Sequence, residues 1–66
     1  MGRPIFIYRA AELRQMPVLN STENWTLRID QPTFRVWLSV DEQTVRVDEK
    51  APYGGNWQQA EKYKAR

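Results

Sequence analysis

Apolar and polar residues alternate most clearly in the middle of the chain. In "FRVWLSV", Phe34, Val36, Leu38 and Val40 fall on one side of an extended strand, and Arg35, Trp37 and Ser39 on the other. "WTLRI" places Trp25, Leu27 and Ile29 together, and "TVRV" (Thr44–Val47) continues the pattern. The connecting "DQPT" and "DEQ" have the composition of turns.

The spacings test one another. Pairing Ile29 with Phe34 sets Leu27 opposite Val36 and Trp25 opposite Leu38. Pairing Val40 with Val45 sets Leu38 opposite Val47 on that same apolar side. A slip of one residue would turn every side chain to the wrong face. The pattern therefore predicts a three-stranded antiparallel meander over residues 25–48. Its core would hold Trp25, Leu27, Ile29, Phe34, Val36, Leu38, Val40, Val45 and Val47.

Outside the meander, "IFIY" (Ile5–Tyr8) is apolar on both alternating faces and reads as a further, covered strand. "AAELRQM" consists of good helix formers, and Pro17 disfavours helical geometry at Met16. A short helix near residues 10–16 is expected, without a capping side chain at its start. "NSTEN" is loop. Near the C-terminus, Gly54–Gly55 reads as a breaker, Asn56 as a helix cap, and Gln59 as its reciprocal partner. Trp57, Ala60 and Tyr63–Lys64 then fall at helical spacing. A C-terminal helix over residues 56–66 is the expectation and a frayed basic tail the alternative. The fold class expected is α+β in a single domain, residues 1–66: a three- to four-stranded antiparallel sheet, a C-terminal helix, and room for the short helix near residues 10–16.

Composition narrows the function. A chain of 66 residues buries only about 60% of its unfolded surface, so its own core leaves little stability to spare. Domains this small draw on disulfides, a metal or a second subunit. With no Cys and no His, thiolate and imidazole metal sites, disulfides and His-dependent nucleophiles are removed, and oligomerisation remains. A homodimer is expected. No apolar run is long enough for a membrane span or a signal peptide, and "MGRPIF" departs from the myristoylation pattern at Phe6. The sequons "NST" and "NWT" are read as loop composition. A cytoplasmic location is expected.

The net charge of +2 is unevenly spread. Asp41, Glu42, Asp48 and Glu49 against Arg46 make residues 41–49 acidic, whereas Lys50, Lys62, Lys64 and Arg66 against Glu61 make the tail basic. Every cation before residue 50 is arginine (Arg3, Arg9, Arg14, Arg28, Arg35, Arg46). That bias suits stacking on aromatic rings and gripping anions, and a GC-rich genome would produce it equally well.

One constellation rises above this background. The predicted registers put Arg28 opposite Arg35, and Ser39 opposite Arg46, around Trp37 on the face away from the core. Opposed arginines repel unless an anion or an aromatic lies between them. Arg28, Arg35, Trp37 and Arg46 are therefore the candidate partner-binding residues. Phe6 and Tyr8 would join them if the first strand lies at an edge. Three readings stand. The C-terminal helix or residues 16–19 cover Trp37, with the arginines fringing it. Alternatively Trp37 marks a protein interface, a second copy included, where Trp and Arg are the enriched types. Or the face is a platform on which single-stranded nucleic acid stacks. The acidic stretch 41–49 would repel a nucleic-acid strand, which puts that reading behind a protein partner.

No phosphate-binding loop and no EF-hand spacing is present, and neither carboxylate pair has a visible cause for the shifted pKa that acid–base work needs. No catalytic residue, cofactor, metal or small-molecule substrate is expected; only a carboxylate-bound Mg²⁺ or Ca²⁺ stays open. The sequence thus reads as a small non-enzymatic protein-interaction module that self-associates, of the kind base rates assign to phage and mobile elements. Single-stranded nucleic-acid binding is the alternative.

Overall fold

The computed structural model of the chain describes residues 8–51 and 55–65. A helix, α1 (Ala10–Arg14), precedes five strands: β1 (Asn20–Ser21), β2 (Trp25–Asp30), β3 (Phe34–Ser39), β4 (Thr44–Lys50) and β5 (Trp57–Lys64). The strands form one antiparallel sheet in chain order, β1-β2-β3-β4-β5.

The α+β expectation with a C-terminal helix is overturned. Residues 57–64 are a strand paired with β4 along its length, from Thr44↔Lys64 to Lys50↔Trp57. The helical spacing of Trp57, Ala60 and Tyr63 arises from a bulge. Val47 pairs with Glu61 and Asp48 with Gln59, so Ala60 is the extra residue. One inserted residue shifts the period-two pattern and turns it into an apparent period of three. Helix propensity, worth only tenths of a kcal/mol per residue, loses here to a ladder along the whole segment. Asn56 caps no helix; its carbonyl accepts the Ala51 amide at 2.8 Å and closes the β4–β5 hairpin. Gly55, in that connection, has φ +71°, a left-handed conformation that suits glycine.

The registers also differ from expectation. Between β3 and β4 the partners are Leu38↔Val45 and Val36↔Val47, a shift of two residues that keeps the faces but puts Val40 in the turn. Val40 is 59% exposed and is no part of the core. Between β2 and β3 the change is larger. Ile29 pairs with Val36, but Leu27 pairs with Trp37 and Trp25 with Ser39, with Arg28 as the extra residue between. This second bulge moves Trp25 and Leu27 to the face that carries Trp37.

The other face holds the aliphatic core. Leu13, Val36, Leu38 and Val45 are fully buried, with Ala10, Met16, Ile29, Phe34, Val47 and Tyr63 packed around them. Helix α1 lies over β3 and supplies Leu13. It starts with the Glu12 and Leu13 amides on the Arg9 carbonyl, at 3.0 and 3.1 Å, and with no capping side chain. Tyr63 Oη accepts the Tyr8 amide at 2.6 Å, which ties the start of the described chain to β5. Tyr8 itself lies outside any strand; Ile5, Phe6 and Ile7, the rest of the strand expected there, fall outside the described residues.

The β3–β4 turn is held by side chains. Ser39 Oγ donates to Asp41 Oδ1 at 2.6 Å and accepts the Thr44 amide at 2.9 Å. Within the turn, Glu42 sits at φ 62°, the left-handed region that costs a residue with a Cβ.

Candidate binding face

The face opposite α1 is built by alternate residues of all five strands. Its central row runs Asn20–Leu27–Trp37–Arg46–Lys62. The row beside it toward the β2–β3 turn is Asp30–Arg35–Asp48–Gln59. Trp25 and Trp57 project from the same face near opposite corners. Three of the four residues singled out from the sequence come together there: Arg35, Trp37 and Arg46. The fourth does not.

Arg28, the bulge residue, reaches to the helix side. Its Nη1 donates to the Met16 carbonyl at 2.8 Å and to the Leu13 carbonyl at 3.4 Å. Its Nε donates to Thr26 Oγ1 at 3.0 Å, and Thr26 Oγ1 in turn donates to the Leu38 carbonyl at 3.0 Å. A guanidinium on the last carbonyls of a helix satisfies acceptors that the helix leaves open and favours its negative end. Arg28 therefore fastens α1 to the sheet.

The expected repulsion between Arg28 and Arg35 is replaced by attraction. Arg35 stands between Asp30 and Asp48 in its row, donates from Nε to Asp30 Oδ1 at 3.1 Å, and stacks on Trp57 at 4.1 Å from the ring centroid. Arg46 lies 4.9 Å from the ring centroid of Trp25 and 5.0 Å from that of Trp37. It is paired with Asp48 by Nη2–Oδ2 and Nε–Oδ1 contacts, each 3.1 Å. The second contact has ion-pair distance but is not an aligned hydrogen bond, which leaves Arg46 Nε and Asp48 Oδ1 buried without one. Lys62 Nζ completes the series at 5.8 Å from the Trp25 ring.

Trp37 is 7% exposed and Leu27 4%, yet among the described residues no helix or strand packs over this face. Among the described residues, the group that lies over the Trp37 ring is the flat Arg46 guanidinium of the same sheet, whose hydration is weak enough to lie on a ring. The layer is imperfect. Trp37 Nε1 is buried without a hydrogen-bond acceptor, and an unpaired buried donor of this kind costs about 1–3 kcal/mol.

Sequence reasoning placed Trp25 in the core and Trp57 on a helix, and so missed two of the three rings. A signal was present. Arg28 facing Arg35 was an unfavourable pair, and the register that relieves it sets Arg35 between Asp30 and Asp48. The acidic segment 41–49 is also less free than its composition suggests. Asp48 is held by Arg46, and hydrogen bonds from Ser39 and from the Gln43 backbone hold the Asp41 carboxyl below its ordinary pKa. Burial pushes the Tyr63 hydroxyl above its ordinary value.

Among the described residues, no three His, Cys, Asp or Glu side chains gather as a metal site would need. No helix there is long and apolar enough to cross a membrane. No protein-family model matches the chain, and neither does any curated protein or solved structure.

Proposed function

We propose that the protein is a non-enzymatic protein-interaction module and that its tryptophan–arginine face docks on a second copy of the chain. One observation carries this reading: a sheet face with Trp25, Leu27, Trp37 and Trp57, over which no element packs among the described residues. Half-buried tryptophans fringed by arginines are the residue types on which protein interfaces concentrate their binding energy. Two such faces laid together would bury Trp25 and Trp57 further and make a two-layer domain, the arrangement small sheets need for independent stability.

The single-stranded nucleic-acid alternative has less support. Arg28 is spent on α1, Arg35 on Asp30 and Trp57, and Arg46 on Asp48. A stacking platform needs open rings and free cations, and Trp37 is closed. Among the described residues of this face, the cations left for phosphate are Lys50, Lys62 and Lys64.

Sedimentation over a concentration series, wild type beside Trp25→Asp, tests the proposal. A dimer that dissociates in the variant, with a wild-type Tm that rises with protein concentration, is the expected result. A 7.9 kDa species at every concentration would remove it. Quenching of tryptophan by excess oligonucleotide at low salt, and its loss at high salt, would favour the alternative.

A further inference from the structure

A different surface carries a second inference. The two edges of the sheet are unequal: β1 has 2 residues and offers almost no ladder, whereas β5 has 8. Strand β5 is paired with β4 on one side, and among the described residues no strand pairs with its other side. The backbone amides and carbonyls along such an edge are a template for a further strand.

Charge decides what that strand can be. On the tryptophan face β5 presents Lys62 and Lys64, both exposed, and neither makes an ion pair among the described residues. Lys62 stands opposite Arg46 across the β4–β5 ladder, a like-charged pair that is unfavourable by itself. Asp48 neutralises Arg46, so the uncompensated charge is on the outer strand. A second β5 does not fit there. Opposite residues of an antiparallel pair share a face, so a symmetric pair is centred on one residue. Centred on Lys62, that lysine faces its own copy; centred on Tyr63, Lys62 faces Lys64 twice; centred on Glu61, two carboxylates meet. Each of these three registers opposes like charges, and one centred nearer Trp57 would run into the Ala60 bulge or off the start of the strand. The lysines and the bulge at Ala60 guard the edge against its own kind, a common device on exposed strands, but the guard is one of sign.

We infer that the outer edge of β5 receives an extended acidic segment of a partner protein. That segment adds as a sixth strand and sets carboxylates, spaced two residues apart, opposite Lys62 and Lys64. Its main chain supplies the ladder and its alternate side chains the specificity, as in strand addition generally. The inference does not rest on the self-association proposed above, because the ladder belongs to the edge and not to the tryptophan face.

The test uses the whole chain and four synthetic peptides, each matched in length to the 8 residues of β5. One alternates Glu and Thr, one alternates Lys and Thr, and two are the Glu–Thr peptide with N-methyl groups on alternate amides, one in each phase. Hydrogen exchange read by NMR, amide by amide, reports where they bind. The Glu–Thr peptide should bind and slow exchange at amides within Trp57–Lys64. Lys62→Glu combined with Lys64→Glu should weaken it roughly tenfold or more through two reversed cross-strand pairs, and should let the Lys–Thr peptide bind. N-methylation in one of the two phases should abolish binding. Binding without new protection in β5, equal binding of both N-methylated peptides, or no binding at millimolar peptide would each overturn the inference. Because the readout is located at β5, it stands or falls whether or not the protein dimerises.

Discussion

The two faces of this sheet are covered in different ways. On one, Val36, Leu38 and Val45 lie under Leu13 of a helix. On the other, Leu27 and Trp37 are almost as deeply buried, and among the described residues it is Arg46 of the sheet itself that lies over the Trp37 ring. Aliphatic side chains have no polar end to reach water, so burying them takes a second element. An indole can instead be roofed by a guanidinium from the next strand, whose charge is met by a carboxylate two residues on. Among the described residues, a single five-residue helix serves a sheet with two buried faces. What it gives up is finish, since that roof leaves Trp37 Nε1 without an acceptor and Trp25 and Trp57 half-exposed.

Substitutions on the two faces sharpen the contrast. Leu38→Ala should have the largest effect, a loss of about 2–5 kcal/mol from a cavity in a packed core. That is a large part of the stability of so small a domain. An unchanged denaturation curve would contradict the placement of Leu38. On the opposite face, Arg46→Ala removes the roof and strands a mostly buried Asp48, and should cost about 2–3 kcal/mol. Arg46→Ala combined with Asp48→Ala should recover part of that loss, because no unpaired charge remains. Additive losses in denaturant titration would show that the pair is not coupled.

Smaller effects separate the helix side further. Arg28→Ala should cost about 1–2 kcal/mol by releasing the carbonyls at the end of α1, and faster amide exchange in residues 10–16 should accompany it. No change in that exchange would mean that Arg28 does not hold the helix. Glu42→Gly should gain about 0.5–1 kcal/mol, because glycine accepts φ 62° without the cost borne by a Cβ. Its exposed contact with Arg14 is worth little.

Two of the groups with shifted pKa values, Asp41 and Tyr63, make the pH dependence testable. Asp41 has a lowered folded-state pKa, so its contribution is present above the ordinary carboxyl range and is lost as pH falls through the folded value. Asp41→Asn should therefore show a shallower fall in Tm than wild type below about pH 4. Tyr63, raised by burial, contributes fully below its ordinary value, and that part is lost as pH climbs above about 10. Tyr63→Phe should blunt the alkaline loss.

Much of β2, β3 and β4 was legible, because Phe34, Val36 and Leu38 alternate cleanly and two short turns leave few ways to join the strands. What escaped was the pair of bulges. Nothing local marks Arg28 or Ala60 as an extra residue, since neither is a glycine, and each bulge is fixed by contacts made elsewhere: Arg28 by the helix carbonyls, Ala60 by the match of Tyr63 to the core and Trp57 to Arg35. A single bulge moves every residue beyond it to the other face. That is why Trp25 and Leu27 were assigned to the aliphatic side and why β5 resembled a helix. The helix Ala10–Arg14 was visible in propensity, but its role as the lid that carries Leu13 was not, because five residues show too little periodicity to give a direction.

Trp37 is roofed by Arg46 of its own chain. Quenching of a single-tryptophan protein by acrylamide tests it most directly, with Trp25 and Trp57 replaced by phenylalanine and the protein dilute enough to sediment as a monomer. Blue-shifted emission and weak quenching are expected, both changing toward those of an exposed indole when Arg46→Ala is added. Strong quenching in the dilute monomer, with protection only as concentration rises, would show that a second copy and not Arg46 provides the cover.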